Sequence, residues 1–310
     1  MNALVTEGYA PFDVDGSEFR TFFRVVGDID RSLADGLAPL VLLHGGPGST
    51  HNYFETLDPL AHTGRALVMY DQIGCGESFV EGRPDLWRSE TWVAELESLR
   101  AFLGLERVHL LGQSWGGMLA IQYLCDRRPA GVVSAILSST LPSSQLWGRE
   151  QHRLIRHMSA EDQAAIACAE ASGDYGDPAY QAAEARYMEE HCAGTPGPDA
   201  PACLTRPKVS GRESYLVAWG PNEFTPAGTL RDWDYTGRLA EIEVPALVVS
   251  GTDDLCTPLV AKTMFDGIPR ARWELFEGCR HMCFVDDNPR YLSLVDAWMA
   301  RCEADAASAR

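Results

Sequence analysis

Basic residues are scarce in this chain of 310: 26 Lys plus Arg stand against 44 Asp plus Glu, a formal charge of −18. So acidic a surface does not suit a nucleic-acid binder; it promotes solubility and mildly favours neutral or cationic ligands. Long apolar runs are missing too. The longest, Pro39 to Leu43 and Pro245 to Val249, fall far short of the roughly 18 residues a bilayer span requires. The stretch Met1 to Asp15 has neither a basic start nor an apolar segment, so it does not read as a secretory signal, and a cytoplasmic protein is the expectation. Nine cysteines occur without a CxxC pair, which fits reduced thiols used as small hydrophobes rather than a disulfide framework. Cys279, His281 and Cys283 alternate as metal ligands on an extended chain would, but no cluster supplies the fourth ligand of a tetrahedral site. No internal repeat is visible. What remains is a folded domain with 45% hydrophobic and 23% charged residues, enough for one large core or two modest ones.

Short runs rich in Val, Leu and Ile recur at Leu40 to His44, Ala66 to Asp71, Val108 to Gly112, Ala135 to Ser139 and Ala246 to Gly251. Each ends in glycine or polar residues, as buried parallel strands do. Helical stretches lie between them at Glu90 to Leu103, Gly116 to Arg127 and Pro258 to Phe265, and Asn288 to Cys302 forms a closing helix. Strand alternating with helix predicts a doubly wound α/β sheet. Ahead of it, Glu18 to Val26 predicts an antiparallel edge strand. The rhythm breaks in the middle, where Arg149 to Ser172 and Pro178 to His191 have helical spacing with no strand between them. That predicts an inserted helical cap over residues 141–230, with the core built from 1–140 and 231–310. Between Gly194 and Pro207, four prolines argue against any regular element.

The strongest chemical signal is Gly112-Gln113-Ser114-Trp115-Gly116. A bare GxSxG arises by chance in about one chain in ten of this length, so its placement between a strand and a helix is what makes it informative. A serine on such a tight turn stands exposed at the carboxyl edge of the sheet. It needs a base to take its proton and an acid to orient that base. In this kind of sheet the order is serine, acid, histidine, which selects Asp254, with neighbouring Asp253 as its rival, and His281. His44-Gly45-Gly46-Pro47-Gly48 follows the first buried strand and can aim backbone donors at a developing oxyanion, each worth about 3 kcal/mol. The N–H groups of Gly46 and Trp115 are the expected pair, with His44 buttressing the loop. Asp71 precedes Ser114 and is read as structural, in a compact turn through Gly74 and Gly76.

Taken together, His44-Gly45-Gly46-Pro47-Gly48, Asp71-Gln72-x-Gly74-x-Gly76-x-Ser78, Gly112-Gln113-Ser114-Trp115-Gly116-Gly117 and Gly220-Pro221-Asn222-Glu223-Phe224 resemble the proline iminopeptidase family of serine aminopeptidases, over nearly the whole chain. The resemblance implies an α/β-hydrolase core with a helical cap, no metal and no cofactor. It also implies removal of an N-terminal residue from a small peptide, amide or arylamide, with Glu223 on the substrate's α-ammonium. Such a bond is charge-assisted and worth about 1.5–3 kcal/mol. Tyr215, Trp219 and Phe224 are expected to form an apolar wall, although they suit a cap core equally. The family often carries a second glutamate directly after the triad aspartate, where this chain has Leu255. An apolar residue there suits a hydrophobic acceptor, so relatives acting on amino-acid amides, or removing an aminoacyl group from a biosynthetic intermediate such as a macrolactam precursor, stand as alternatives. An esterase acting on uncharged acyl groups is a further one, and a non-catalytic binder on the same fold is the reading from another class.

Overall fold

The computed structural model of the protein describes residues 4–308. Eight strands form one sheet: β1 (Val5–Val14), β2 (Ser17–Val26), β3 (Leu40–Leu43), β4 (Leu67–Tyr70), β5 (Val108–Gln113), β6 (Val132–Ser138), β7 (Ala246–Gly251) and β8 (Ala271–Phe276). Their order is β1-β2-β4-β3-β5-β6-β7-β8; β1 and β2 are antiparallel, and β4 through β8 run parallel. Alternation within the central parallel strands explains their predominantly apolar composition. Val41 and Leu43 enter one core, while Leu40 and Leu42 enter the other; Val248 and Val249 divide likewise. Both faces are covered along β3 and β4, so every position of those two strands is apolar, while β5 and β6 also bury His109, Gln113, Ser134 and Ser138.

The segment expected as an edge strand is instead the second strand, because β1 pairs along its whole length. A tight turn at Asp15 and Gly16, with φ of 50° and 77°, joins the two. Asp-Gly is the residue pair that such a hairpin turn favours. The hydrophobic pattern hides β1 because Val5 and Tyr9 are exposed, and Pro11 is tolerated because the strand lies at the edge.

Between β6 and β7 the chain leaves the sheet as helices Ser144–Ile155, Ala160–Ser172, Pro178–His191, Ala202–Thr205 and Arg212–Ala218. An isolated bridge between Ser143 and Asp234 closes the neck of this excursion. The helical pattern from Arg149 to Ser172 is two helices, since the Ser159 side chain caps the second at Asp162 N (3.1 Å). The proline-rich stretch after Gly194 contains one helical turn, Ala202–Thr205, contrary to the expectation of no regular element. No helix among the described residues is long and apolar enough to cross a membrane.

The last helix, Asn288–Ser308, is tied to the sheet by a partly buried carboxylate. Glu303 accepts from Arg65 Nη1 at 2.7 Å and Nη2 at 2.9 Å, and from Ala38 N at 2.8 Å, with His109 Nε2 at 3.3 Å. Burial alone would raise its pKa; these partners outweigh burial and hold the carboxyl far below the usual range. A group depressed in the folded state stabilises above its unfolded pKa, about 4.3 for glutamate, and loses that contribution as pH falls through the folded value. Glu303→Gln is therefore expected to cost about 3 kcal/mol at neutral pH. Urea unfolding of both proteins at stepped pH checks this: the gap should hold down to about pH 4 and narrow below it.

Candidate active site

Loops at the carboxyl ends of four strands meet over the sheet, the edge where open α/β sheets place their sites. Ser114 follows β5 with φ 55° and ψ −124°, a left-handed conformation that costs a serine energy. Packing enforces it. A Cβ on Gly116 would sit 1.9 Å from Leu43 O, and one on Gly112 would sit 2.2 Å from Gly116 O, so strand and helix approach where no side chain fits. Ser114 N donates to Ser138 O at 3.0 Å, and Thr140 Oγ1 donates to Ser114 O at 2.6 Å. The turn is thereby pinned from the next strand.

His281 Nδ1 lies 2.7 Å from Asp254 Oδ1, and both side chains are buried. The Asp254 carboxylate also accepts from Cys256 N at 2.8 Å and Gly251 N at 3.1 Å, which leaves it little freedom to turn. Asp253 is exposed, and its carbonyl receives His191 Nδ1 at 2.9 Å, so of the two candidate acids only Asp254 reaches the imidazole. Ser114 and His281 line one cavity of about 520 Å³. Among the described residues the Ser114 hydroxyl and His281 Nε2 make no side-chain hydrogen bond, to each other or elsewhere; such bonds often tighten only when substrate binds. Cys283 Sγ donates to Arg280 O at 3.2 Å, while its alternating neighbour His281 turns to Asp254.

The N–H groups of Gly46 and Trp115 make no hydrogen bond among the described residues, and Trp115 opens helix Trp115–Arg127, where the first donors lack intrahelical acceptors. Gly46, with φ 116°, lines the cavity beside Ser114. Behind them His44 is fully buried, and burial brings its pKa down to about 4, so the ring is neutral. Its Nδ1 pairs with Gly45 O at 2.9 Å, and Nε2 accepts from Gln72 N at 3.0 Å. Gln72 also binds His44 O (2.9 Å) and Trp115 Nε1 (2.8 Å), locking the two donor loops together. Asp71 stands apart, held by His51 N (2.9 Å), His51 Nδ1 (2.7 Å) and Glu77 N (2.9 Å) beside a different cavity.

A narrow recess of about 10 Å³ adjoins Ser114, lined by Gly46, Trp115, Met118, Leu141, Trp147, Trp219 and Glu223. Glu223 also belongs to the wider cavity, so the residue stands where the two meet. Tyr215 is not part of the wall; its hydroxyl donates to Glu223 Oε1 at 2.8 Å. Burial pushes the Glu223 carboxyl up, against the opposing pulls of Tyr215 and His281. Phe224 does not face either space. Asn222 Oδ1 accepts from Phe224 N (3.1 Å) and Thr225 N (2.8 Å), and this turn sends alternate side chains to opposite sides, so Phe224 packs on Tyr187 and Tyr180 in the cap core. Leu255 is likewise fully buried outside both cavities, its carbonyl receiving Gln151 Nε2 at 2.8 Å.

Two residues escape sequence reasoning. Trp147 donates its indole N–H to Glu223 O at 2.8 Å and sets its ring edge-on to His281, with centroids 5.8 Å apart. Glu184, on helix Pro178–His191, is raised first by burial and further by the charge of Glu223, with Tyr180 opposing. Both lie on cap helices whose spacing reveals a buried face but not what that face touches.

Residues 38–166 match the family model described as alpha/beta hydrolase fold. Over 295 residues, covering 95% of this chain and 98% of the relative, the sequence is 54% identical to the proline iminopeptidase of Clostridium botulinum. It is 56% identical over 297 residues to that of Levilactobacillus brevis, covering 96% and 97% of the two chains. The chain belongs to the proline iminopeptidase family. The crystal structure of the family's Mycobacterium smegmatis enzyme superposes with a TM-score of 0.84 at 31% identity, covering 97% of this chain and all of the other. Membership places this chain among hydrolases of that fold, and the positive-φ serine is the point at which its reactivity is tested. A fluorophosphonate probe is expected to label the protein at Ser114, and Asp254→Asn to slow labelling by about 10³-fold or more, because the imidazole then loses its orienting charge. Peptide mapping of the labelled chain checks the first expectation, and labelling rates the second.

Proposed function

We propose that this protein removes an N-terminal proline from peptides and prolyl amides through an acyl-enzyme. Ser114 attacks the carbonyl carbon while His281 takes its proton, and Asp254 holds the imidazole and stabilises its charge. The carbonyl oxygen, now negative, rests on the N–H groups of Gly46 and Trp115. His281 then returns the proton to the departing amine, and water repeats the sequence to free Ser114. The cap, residues 141–230, supplies Glu223, which receives the substrate's charged imino group, with Glu184 adding negative charge behind it. A cap glutamate thus takes the part expected of the position that Leu255 occupies.

The observation that carries this reading is Glu223, a carboxylate residue lining both cavities next to Ser114. An endopeptidase or a simple esterase has no use for a partly buried carboxylate there, and its partial desolvation is offset when a cation arrives. The names of the relatives support proline in particular.

Prolyl arylamide should be cleaved and its N-acetylated form left intact; equal rates on the two would end the aminopeptidase reading. Glu223→Gln is expected to lower kcat/KM on the free imine by about 10- to 100-fold, equivalent to the 1.5–3 kcal/mol of a charged hydrogen bond. The same carboxylate gives a pH signature. Because burial raises its pKa, Glu223 takes up a proton above the ordinary carboxylate range and loses its hold on the cation as pH falls. The ratio of prolyl arylamide to acetyl ester hydrolysis should therefore decline with acidification from a pH above about 4.3, and a flat ratio contradicts the assignment.

A further inference from the structure

The wider cavity contains a cation for which the chemistry above has no use. Lys208, one of two lysines in the chain, lines it together with Ser114, His281 and Glu223. The other cation on that wall, Arg280, is engaged: it donates to Asp286 Oδ1 at 2.8 Å and to Glu189 O at 3.0 Å. Lys208 has no carboxylate within ion-pair distance among the described residues. The nearest acid to act on it, Asp71, is already taken by His51 and two backbone N–H groups. Burial lowers the lysine's pKa, with Cys75 and Asp71 opposing. The residue as a whole is exposed, so its ammonium is open to a ligand entering the cavity, and no acid of this strongly acidic chain has claimed it among the described residues.

Its position relates it to the leaving group. Lys208 Nζ stands 6.0 Å from the centre of the Tyr53 ring. The Tyr53 hydroxyl accepts from Gly45 N at 2.6 Å and donates to Gln113 Oε1 at 2.9 Å, the residues directly before Gly46 and Ser114. One tyrosine ring therefore separates the point of cleavage from the ammonium. Each residue of extended chain covers about 3.3–3.6 Å, so one or two residues beyond the scissile bond bridge that gap. Glu223 belongs to both the recess and the cavity, whereas Lys208 stands at the cavity's other side, where it also borders the cavity beside Asp71, and not at the recess. The negative group suits the substrate's amino end and the positive group its far end.

We propose that Lys208 receives the terminal carboxylate of the leaving group, so that the preferred substrates are dipeptides and tripeptides with a free carboxyl end. This inference rests on the exopeptidase reading and narrows its substrate class. Lys208 binds and positions; it takes no part in bond making.

The test compares prolyl-leucine, prolyl-leucinamide and prolyl arylamide on the wild type, Lys208→Met, Lys208→Gln and Lys208→Arg. The wild type should cleave the free acid with kcat/KM about tenfold above the amide, the difference lying in KM, as expected for one charged contact. In Lys208→Met and Lys208→Gln that ratio should fall toward one, while Lys208→Arg keeps most of it. Because the ratio is taken within each protein, a general loss of activity does not disguise the result. Added salt should also lower the wild-type ratio, a check that needs no variant. A wild-type ratio near one with all three substrates cleaved overturns the Lys208 assignment alone. So does an unchanged ratio in both neutral variants. If the wild type cleaves none of the three, the exopeptidase reading falls and takes this inference with it.

Discussion

A close backbone approach holds the site together. Helix Trp115–Arg127 packs so tightly on β3 and β5 that positions 112 and 116 admit no side chain, and this contact forces Ser114 into a conformation serine ordinarily avoids. The energetic cost falls on a single residue and is sustained by the whole sheet, because β5 lies at its centre between β3 and β6. Two consequences follow from the same turn. The hydroxyl is lifted off the sheet toward the cavity, and the N–H of Trp115 is left without a partner at the start of the helix. One constraint thus prepares both a nucleophile and part of the cradle for the charge its attack creates.

The second design element is charge placed by the cap. The sheet alone offers an alcohol, an imidazole and a carboxylate in the setting of a general acyl hydrolase. Glu223 narrows that generality, and its own position is set by layers beneath it: the Asn222 turn directs it, Tyr215 fixes one oxygen, and Trp147 holds its backbone while touching His281. One tryptophan therefore contacts both the candidate recognition residue Glu223 and the candidate base His281. In the proposal above, Lys208 extends the same logic to the opposite end of the substrate, so that a short zwitterion would meet opposite charges across the point of cleavage.

Much of this was legible in the sequence, for identifiable reasons. Parallel strands buried on both faces leave unbroken apolar runs, and the strand–turn–helix around Ser114 leaves its glycines, so the central sheet and the positions of Ser114, Asp254 and His281 at its edge followed from pattern and order. β1 was not visible because an edge strand exposes one side and tolerates proline; its Asp15-Gly16 turn was the available signal. The cap was legible as helical but not as a surface. Helical spacing says which residues are buried, not whether they face a cavity or one another, and so it leaves Phe224 open between a wall and the cap core, where the structure places it. Leu255 was placed by its neighbour in sequence, yet adjacent residues on a bent loop point apart. Glu184 and Trp147 act across the fold, through contacts between segments that no local pattern connects.

The central claim is that the alcohol of Ser114 carries the substrate's first residue as an ester during turnover. Rapid acid quenching of the enzyme with a prolyl arylamide, followed by peptide mapping by mass spectrometry, tests it directly. The account predicts a prolyl group on the peptide containing Ser114, formed and discharged at rates compatible with turnover. A prolyl group on any other residue, or continued turnover by Ser114→Ala, would contradict it.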